Sequence, residues 1–224
     1  MVTDTFILRM VTDTFALRMV PDTFAFSKSC ITLPAMKEEK RCFWVTEDPL
    51  YLRYHDEEWG NPVHDELRWF EFITLEGAQA GLSWITVLRK RENYRKALAG
   101  FDPKKIARFG AAEKKCLLAN EGIIRNRLKI DSTITNAQAF LELQKQEGSF
   151  DKFIWDFVGG KPIKNRPKGR GDIPSSTELS DALSWELKKR GFRFVGSTIL
   201  YAMMQACGLV WDHTRDCYRS TEVQ

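Results

Sequence analysis

The sequence lacks several features that mark whole classes of protein. No apolar run approaches the roughly 20 residues that a membrane-spanning helix needs, so we do not expect a membrane protein. There is no G-x-G-x-x-G or Walker loop, and no Ser/His/Asp or Cys/His nucleophile set stands out. Five cysteines without a secretion signal disfavour a disulfide framework and leave reduced thiols or metal ligands. Two of them, Cys116 and Cys207, lie in apolar helical surroundings and are expected to be buried thiols.

The N-terminal 27 residues are three near-identical copies of nine residues, "MVTDTFILR", "MVTDTFALR" and "MVPDTFAFS". Units this short do not suit a solenoid, and the aspartate in each copy argues against an acid-poor transit peptide. We therefore predict that residues 1–40 are a disordered N-terminal extension, with the functional chain beginning near Met36.

From residue 41 onward the apolar spacing is helical, and hairpin signals are scarce. Residues 65–98 carry a helical pattern interrupted at Gly77 and Gly81, which predicts one helix, a break and another helix. The segment "SSTELSDALSWELKKR" begins with capping residues, ends in cations and meets Gly191, so it is predicted to be a complete helix. The predicted fold class is all-α.

A net charge of +4 permits a polyanionic partner without requiring one. The positive charge is concentrated in a basic Gly/Pro-rich loop, residues 159–174, and again in residues 188–193. A solvated loop and a solvated helix end would explain both clusters, and contact with nucleic acid is the alternative.

Two cysteines and two histidines form a complete set of ligands for a tetrahedral zinc. Cys42 and His55 lie near the start of the helical region, and His213 and Cys217 form an H-x3-C pair near its end. Such a set would leave no coordination position for a catalytic water. The alternative is that the four are unconnected core or surface residues, because the two halves are far apart and lack the compact spacing of a zinc finger.

A carboxylate lies on an apolar helical stripe. Glu76 shares one face with Phe72, Ile73 and Ala80. Burying that charge is costly unless another group pairs with it or uses it. A hydrogen-bonded structural glutamate is the alternative. The acids at residues 56–58 are expected to form a solvated turn or a helix start.

Tryptophan and tyrosine are used where a plain core would favour leucine and isoleucine. Electron-rich rings beside one acid suit a flat, positively charged ligand, through stacking, cation–π attraction and a counter-charge. Ordinary core packing is the alternative for some of these rings. The aromatic residues near the metal candidates and Glu76 are Trp44, Tyr51, Tyr54, Trp59 and Trp84.

Residues 117–130, "LLANEGIIRNRLKI", are predicted to form a helix, a tight turn at Gly122 and a second helix. A helix N-terminus beside Arg125, Arg127 and Lys129 would suit a phosphate group. A plain connection between two helices explains the pattern equally well.

Five ordered blocks resemble the bacterial 3-methyladenine DNA glycosylase I family. The resemblance runs from about residue 41 to residue 217, and the blocks read "RCFWVTEDPLYLRYHDEEWG", "LEGAQAGLSWITVLRKRENYR", "EGIIRNRLKI", "SDALSWELKKRGFRFVG" and "MQACGLVWDH". The resemblance implies a glycosylase domain over residues 41–220 with the all-α, two-lobed helix-hairpin-helix glycosylase fold. One departure is Phe43, which occupies a place where the family often has a small residue.

The resemblance also implies roles for single residues. Glu76 would contact an extruded base, with Tyr54 and Trp84 as the main walls of the pocket and Trp44, Tyr51 and Trp59 completing it. One structural Zn²⁺ would tie the N-terminal segment to the C-terminal segment, and its implied ligands are Cys42, His55, His213 and Cys217.

For DNA, the resemblance implies that Gly81 and Leu82 lie at the gap left by the flipped nucleotide, and that the Gly122 hairpin and Arg125 contact the backbone. The implied activity is hydrolysis of the N-glycosidic bond of 3-methyladenine in double-stranded DNA, leaving an abasic site without strand cleavage. A monomer in the cytoplasm, acting on nucleoid DNA, is the corresponding expectation. The rival interpretations are a zinc-containing module that binds damaged DNA without cutting it and a purely structural zinc protein.

Overall fold

The computed structural model describes residues 39–221, so the predicted disordered extension lies outside the described residues apart from its last two positions. The part of the chain described is mostly helical, as predicted. Its helices are α1 Pro49–Glu57, α2 Glu66–Gln79, α3 Trp84–Leu88, α4 Arg91–Ala97, α5 Pro103–Ile106, α6 Ala111–Ala119, α7 Arg127–Glu147, α8 Phe150–Asp156, α9 Glu178–Lys189 and α10 Ser197–Ala206.

One small parallel pair of strands was not predicted. Strand β1, Ile163–Lys164, lies in the basic loop and pairs with β2, Val210–Trp211, which precedes His213. The pairing fastens the middle of the basic loop to the C-terminal segment. Two-residue strands carry too little pattern for the sequence to reveal them.

Helix α2 lies at the centre of the core and contacts α3, α7, α8 and α10. Every residue from Trp69 to Ala78 is buried, so the helix is enclosed on all sides rather than on one stripe. Gly77 does not break it, contrary to the prediction. A Cβ at Gly77 would lie 3.3 Å from the Cβ of Phe194, so the glycine permits close packing. The break comes at Gly81, whose φ of +78° suits glycine.

The other helix boundaries follow the capping signals. The side chain of Thr177 caps α9 by accepting from the backbone N–H of Ser180, and Gly191 follows the helix with a φ of +92°. Cys207 is buried as predicted, whereas Cys116 is exposed, because it lies on the outer face of α6.

The two ends of the described chain are joined near the predicted metal site. The backbone N–H of Tyr218 donates to the Lys40 carbonyl at 2.8 Å. The buried side chain of Arg219 donates to the carbonyls of His55 and Trp59 at 2.9 and 3.0 Å. In residues 39–221, no helix is long and apolar enough to cross a membrane.

Candidate functional site

The predicted aromatic residues and Glu76 meet around one cavity of about 210 Å³. Helix α1 contributes Tyr51 and Tyr54, and α2 contributes Glu76. The Trp44 ring lies 5.1 Å from the Tyr51 ring and 5.0 Å from the Trp59 ring, measured between centroids. The remaining lining is Phe43, Trp59, Gln79, Trp84, Ile173, Ala202, Gln205 and Ala206.

Tyr54 and Trp84 form a buried pair of rings in the aromatic wall. Their ring centroids lie 5.5 Å apart with an interplanar angle of 48°, and both side chains are buried. Burial, reinforced by the nearby Glu76 carboxyl, raises the pKa of Tyr54, so its hydroxyl stays protonated and can donate a hydrogen bond.

Glu76 is a buried acid without a protein partner for one of its oxygens. It is 3% exposed, and its Oε2 has no hydrogen-bond partner among the described residues. Burial raises its pKa to about 8. The Trp84 Nε1 atom is likewise buried without a partner in the described chain. Unsatisfied buried polar groups are rare and costly, so two of them on one cavity wall point to a ligand that completes their bonding.

A second buried carboxylate on the same helix has a purely structural role and, unlike Glu76, is paired with several arginines. Glu71, 1% exposed, accepts hydrogen bonds from Arg91 at 2.9 Å, Arg95 at 2.6 Å and Arg68 at 2.7 Å. Glu58 accepts from Arg91 and Arg68 in the same network. Glu58 is therefore not part of the solvated turn that the sequence predicted.

The four predicted metal ligands lie together and are all buried. One ligand atom from each residue lies within 4.8 Å of the other three, and the residues are Cys42, His55, His213 and Cys217. The Sγ of Cys42 lies 3.4 Å from His213 Nδ1, and the Sγ of Cys217 lies 3.4 Å from His55 Nε2. Tetrahedral zinc, with Zn–S about 2.3 Å and Zn–N about 2.0–2.1 Å, would separate such atoms by about 3.5–3.6 Å.

The two cysteines interact as a pair. A hydrogen bond between them lowers the pKa of Cys217, helped by both histidines, and together with burial raises the pKa of Cys42. The pair favours one thiolate, the form that binds metals, and a metal bound by both sulfurs would displace the proton of Cys42. Burial lowers the pKa of His213, which keeps its ring neutral, as a ligand must be.

A second layer of contacts orients both histidines. The Nδ1 of His55 lies 2.8 Å from an Asp56 oxygen, and the Nε2 of His213 lies 3.3 Å from the Trp59 carbonyl. Burial alone would raise the pKa of Asp56, but hydrogen bonds from Arg41 and His55 lower it to about 2. Asp56 was expected in a solvated turn. An acid next to a candidate ligand histidine is the sequence signal that would have identified its role.

The residues predicted at the DNA gap form a tight turn after α2. Ala80 has φ −41° and ψ 114°, Gly81 has φ +78°, and the Leu82 N–H donates to the Gln79 carbonyl at 2.6 Å. This is a type II turn, with the 40% exposed Leu82 at its end.

The predicted helix, turn and helix are present as α6, a turn at residues 120–126 and α7. A Cβ at Gly122 would lie 3.0 Å from Asn93 Cβ, so the turn packs closely against α4. Arg125 is exposed and its Nη1 lies 3.5 Å from a Glu121 oxygen. Lys129, which the sequence placed beside a possible phosphate site, directs its ammonium inward and donates to the carbonyls of Ala78 and Ala80.

The basic loop also forms part of the cavity wall, which the sequence did not indicate. Ile173 lines the cavity, and the Arg170 guanidinium lies 5.4 Å from the ring centroid of Phe43, another lining residue. The lysines and arginines of residues 161–170 are exposed, as both the solvated-loop and nucleic-acid interpretations require.

Gln205 on α10 is a further polar lining residue that the sequence analysis missed. Its Nε2 donates to Asp212 at 2.7 Å, and the same buried aspartate accepts from Tyr201 at 2.7 Å and Asn165 at 2.8 Å. A glutamine in an otherwise apolar helix was the available signal, but its partner lies beyond the helix and could not be predicted.

Comparison with known proteins gives a consistent result. Residues 44–220 match the model of a family described as methyladenine glycosylase. The chain is 52% identical over 178 residues to DNA-3-methyladenine glycosylase 1 of Escherichia coli (strain K12), covering 80% of this chain and 95% of that protein. It is 52% identical over 177 residues to the DNA-3-methyladenine glycosylase of Haemophilus influenzae, covering 79% and 96%.

Solved structures agree. A crystal structure of 3-methyladenine DNA glycosylase I superposes with a TM-score of 0.77 at 54% identity, covering 80% of this chain and 98% of that one. A Staphylococcus aureus 3-methyladenine DNA glycosylase I, studied for its recognition of 3-methyladenine, superposes with a TM-score of 0.78 at 35% identity and covers 80% and 95%. The chain therefore belongs to the methyladenine glycosylase family.

Proposed function

We propose that the protein is a base-excision repair enzyme that hydrolyses the N-glycosidic bond of 3-methyladenine in alkylated duplex DNA. The observation that carries the proposal is the cavity, in which the buried carboxyl of Glu76 meets a wall of tryptophan and tyrosine rings and keeps one oxygen without a hydrogen-bond partner in residues 39–221. At about 210 Å³ it is smaller than the ~300–1,000 Å³ pockets of drug-sized ligands, so it suits one small ring system.

Discrimination would depend on charge. Methylation at N3 gives the adenine ring of the nucleotide a positive charge, which the faces of Tyr54 and Trp84 attract. The same cation stabilises the ionised form of Glu76, whose pKa is about 8 in the free protein. Normal adenine is neutral, so it cannot offset the free energy that burying the ionised carboxylate of Glu76 would cost. Glu76 therefore acts first in recognition.

The chemical step needs little assistance, because the cationic base is already a good leaving group. The bond between sugar C1′ and base N9 breaks, and its electron pair neutralises the base. Water adds its oxygen to C1′ and loses a proton. Orientation of this water is the second role that we assign to Glu76.

An abasic site without strand cleavage is the proposed product. A lyase step would need an amine to form a Schiff base with the sugar. The cavity lining in the described part of the chain includes no lysine. The enzyme is thus proposed to be a monofunctional glycosylase.

The buried cysteine and histidine cluster is proposed to hold one structural zinc. Its four protein ligands would fill a tetrahedral coordination shell, so the metal would supply cross-linking rather than chemistry. His55 belongs to α1, which also carries Tyr51 and Tyr54. Metal binding would thus fix the helix that forms one wall of the cavity.

For DNA, we propose a two-lobed helix-hairpin-helix arrangement in a monomer that leaves the cleft open to a duplex. Leu82, with Gly81, would occupy the gap left by the flipped nucleotide, and unstacking would cost a few kcal/mol. The backbone at Gly122, together with Arg125, would contact phosphates. The cytoplasm, where nucleoid DNA is accessible, is the proposed location.

The test is release of free base from N-methylated duplex DNA by the wild-type protein and by Glu76→Gln, with zinc measured in both. We expect the wild type to release 3-methyladenine and the variant to be about 10- to 100-fold slower, the equivalent of losing one charged hydrogen bond. Glu142→Gln, an exposed change on α7, should retain full activity. If zinc-loaded wild type binds methylated DNA but frees no base, the chain is a damage-binding module.

A further inference from the structure

Lys129 connects the hairpin helix to the end of the helix that carries Glu76. Its Nζ donates to the Ala78 carbonyl at 2.8 Å and to the Ala80 carbonyl at 2.7 Å. Both contacts join residues about fifty positions apart in the chain. Lys129 lies in the first turn of α7, two residues after its start at Arg127.

The two acceptors belong to the turn that presents Leu82. Ala78 lies in the last turn of α2, and Ala80 is the first central residue of the type II turn. The last carbonyls of a helix have no intrahelical partner and carry partial negative charge. An ammonium bonded to carbonyls on both sides of Gln79 therefore resists unwinding of the helix end and rotation of the turn.

The aliphatic stem of Lys129 is held in place as well. It lines a small apolar cavity with Ala78, Tyr94 and Ile123. Its ammonium is partly buried, and this burial lowers its pKa. A lysine free in solvent would not be held this way.

Other contacts fix the hairpin to the same region. The Ile124 N–H donates to the Tyr94 hydroxyl at 3.1 Å, and the Lys90 ammonium donates to the Glu121 carbonyl at 2.8 Å. The hairpin is thus connected to α4 and to the short link between α3 and α4. Lys129 is the contact that reaches the Leu82 turn itself.

We propose that Lys129 is a positioning residue that braces the Ala80–Gly81 turn, so that hairpin and Leu82 engage a duplex as one rigid unit. This rests on the proposed function, in which the hairpin contacts the DNA backbone and Leu82 fills the gap. By holding the turn in place, Lys129 would assist flipping of the base out of the duplex, and it would leave the base pocket itself unaltered.

The experiment compares wild type with Lys129→Met, which keeps the stem and removes the ammonium. The single-turnover rate of base release from methylated duplex, at saturating enzyme, is expected to fall about tenfold, since small misplacements have effects of this order or larger. The dissociation constant of free 3-methyladenine, followed by tryptophan fluorescence, should change less than about twofold. In a Leu82→Ala background, the further effect of Lys129→Met should be below about twofold, because both changes remove the same function.

Three results would overturn the inference. Equal losses in base binding and excision would mean a general structural role. Weaker duplex binding with an unchanged saturated rate, additive with Leu82→Ala, would mean a phosphate contact. An unchanged rate would mean no role. If the methionine variant does not fold, Lys129→Arg keeps a charged donor, and its loss must again be confined to the duplex rate. Failure of the wild type to release base would instead refute the proposed function.

Discussion

The buried carboxyl of Glu76 should make the free protein less stable as the pH rises, and Glu76→Gln should remove that effect. Burial raises the pKa of Glu76 from 4.5 to about 8. Between these two values the folded protein keeps a proton that the unfolded chain has lost. Folding stability therefore falls as pH increases through this window, and it is unaffected by Glu76 well below pH 4.5.

The size of the effect follows from the two pKa values. Each pH unit between them costs about 1.4 kcal/mol, so the full difference approaches about 5 kcal/mol above pH 8. The ionisable Glu76 therefore lowers the free energy of unfolding by about 1 kcal/mol at pH 5 and by about 3 kcal/mol at pH 7. Since glutamine has nearly the same shape and does not titrate, the stability gained by Glu76→Gln should increase by about 4 kcal/mol between pH 5 and pH 9.

Urea unfolding of both proteins at pH 5, 7 and 9, without DNA or free base, measures this difference. Glu142→Gln provides the control. Lys145, followed by Gln146, lowers the pKa of Glu142 by hydrogen bonding, so its replacement should give no stability gain that rises with pH. A pH-independent difference between wild type and Glu76→Gln would show that Glu76 is not neutral in the free pocket, and the recognition argument built on its burial would fail.

Three further predictions concern the framework of the site. Gly208→Ala should lower the free energy of unfolding, measured in urea, by at least about 3 kcal/mol, because the new Cβ would lie 2.5 Å from the Pro62 nitrogen. Gly159→Ala is the control: its Cβ would lie in open space, so it should lower the same free energy by only about 1–2 kcal/mol. Equal losses would refute the claim that a steric clash at Gly208 matters. Asp56→Asn should weaken zinc binding about 10- to 100-fold in chelator competition, and unchanged affinity would show that His55 needs no orienting carboxylate. Glu71→Gln should lower the free energy of unfolding by about 3–5 kcal/mol, because three arginines lose the carboxylate that they share. A loss below about 1 kcal/mol would mean that Glu58 alone is sufficient to balance the charge of these arginines.

The helical spacing of the sequence was sufficient to predict that Glu76 lies on an apolar face, because neighbours three and four residues away are fixed by helix geometry. Asp56 and Glu58, in contrast, were expected in a solvated turn or a helix start. Their functions depend on Arg41 and Arg91, which no periodicity connects to them. Charged residues of a short acidic run thus have separate roles that only tertiary contacts reveal.

Two further residues, Gly77 and Lys129, show what could not be predicted from the sequence. Gly77 was interpreted as a helix break, but a glycine in a helix can equally allow another side chain to approach, as Phe194 does here. Lys129 was placed beside a possible phosphate site, but its side chain is long enough to reach the end of another helix. In both cases the residue type permits two structures, and the neighbour that decides between them is distant in sequence.

The two buried acids of α2 explain how the fold can maintain a pocket that contains a buried acid. Glu71 is bonded to arginines of α2 and α4, and Glu58 extends this network to the end of α1. The elements that carry Tyr54 and Glu76 are therefore fixed by charges that do not face the ligand. Because Glu76 takes no part in this anchoring, its replacement by glutamine removes the group that can ionise beside a cationic base while leaving the helix in place. That separation is the reason why a loss of base release in Glu76→Gln can be assigned to recognition and chemistry rather than to folding.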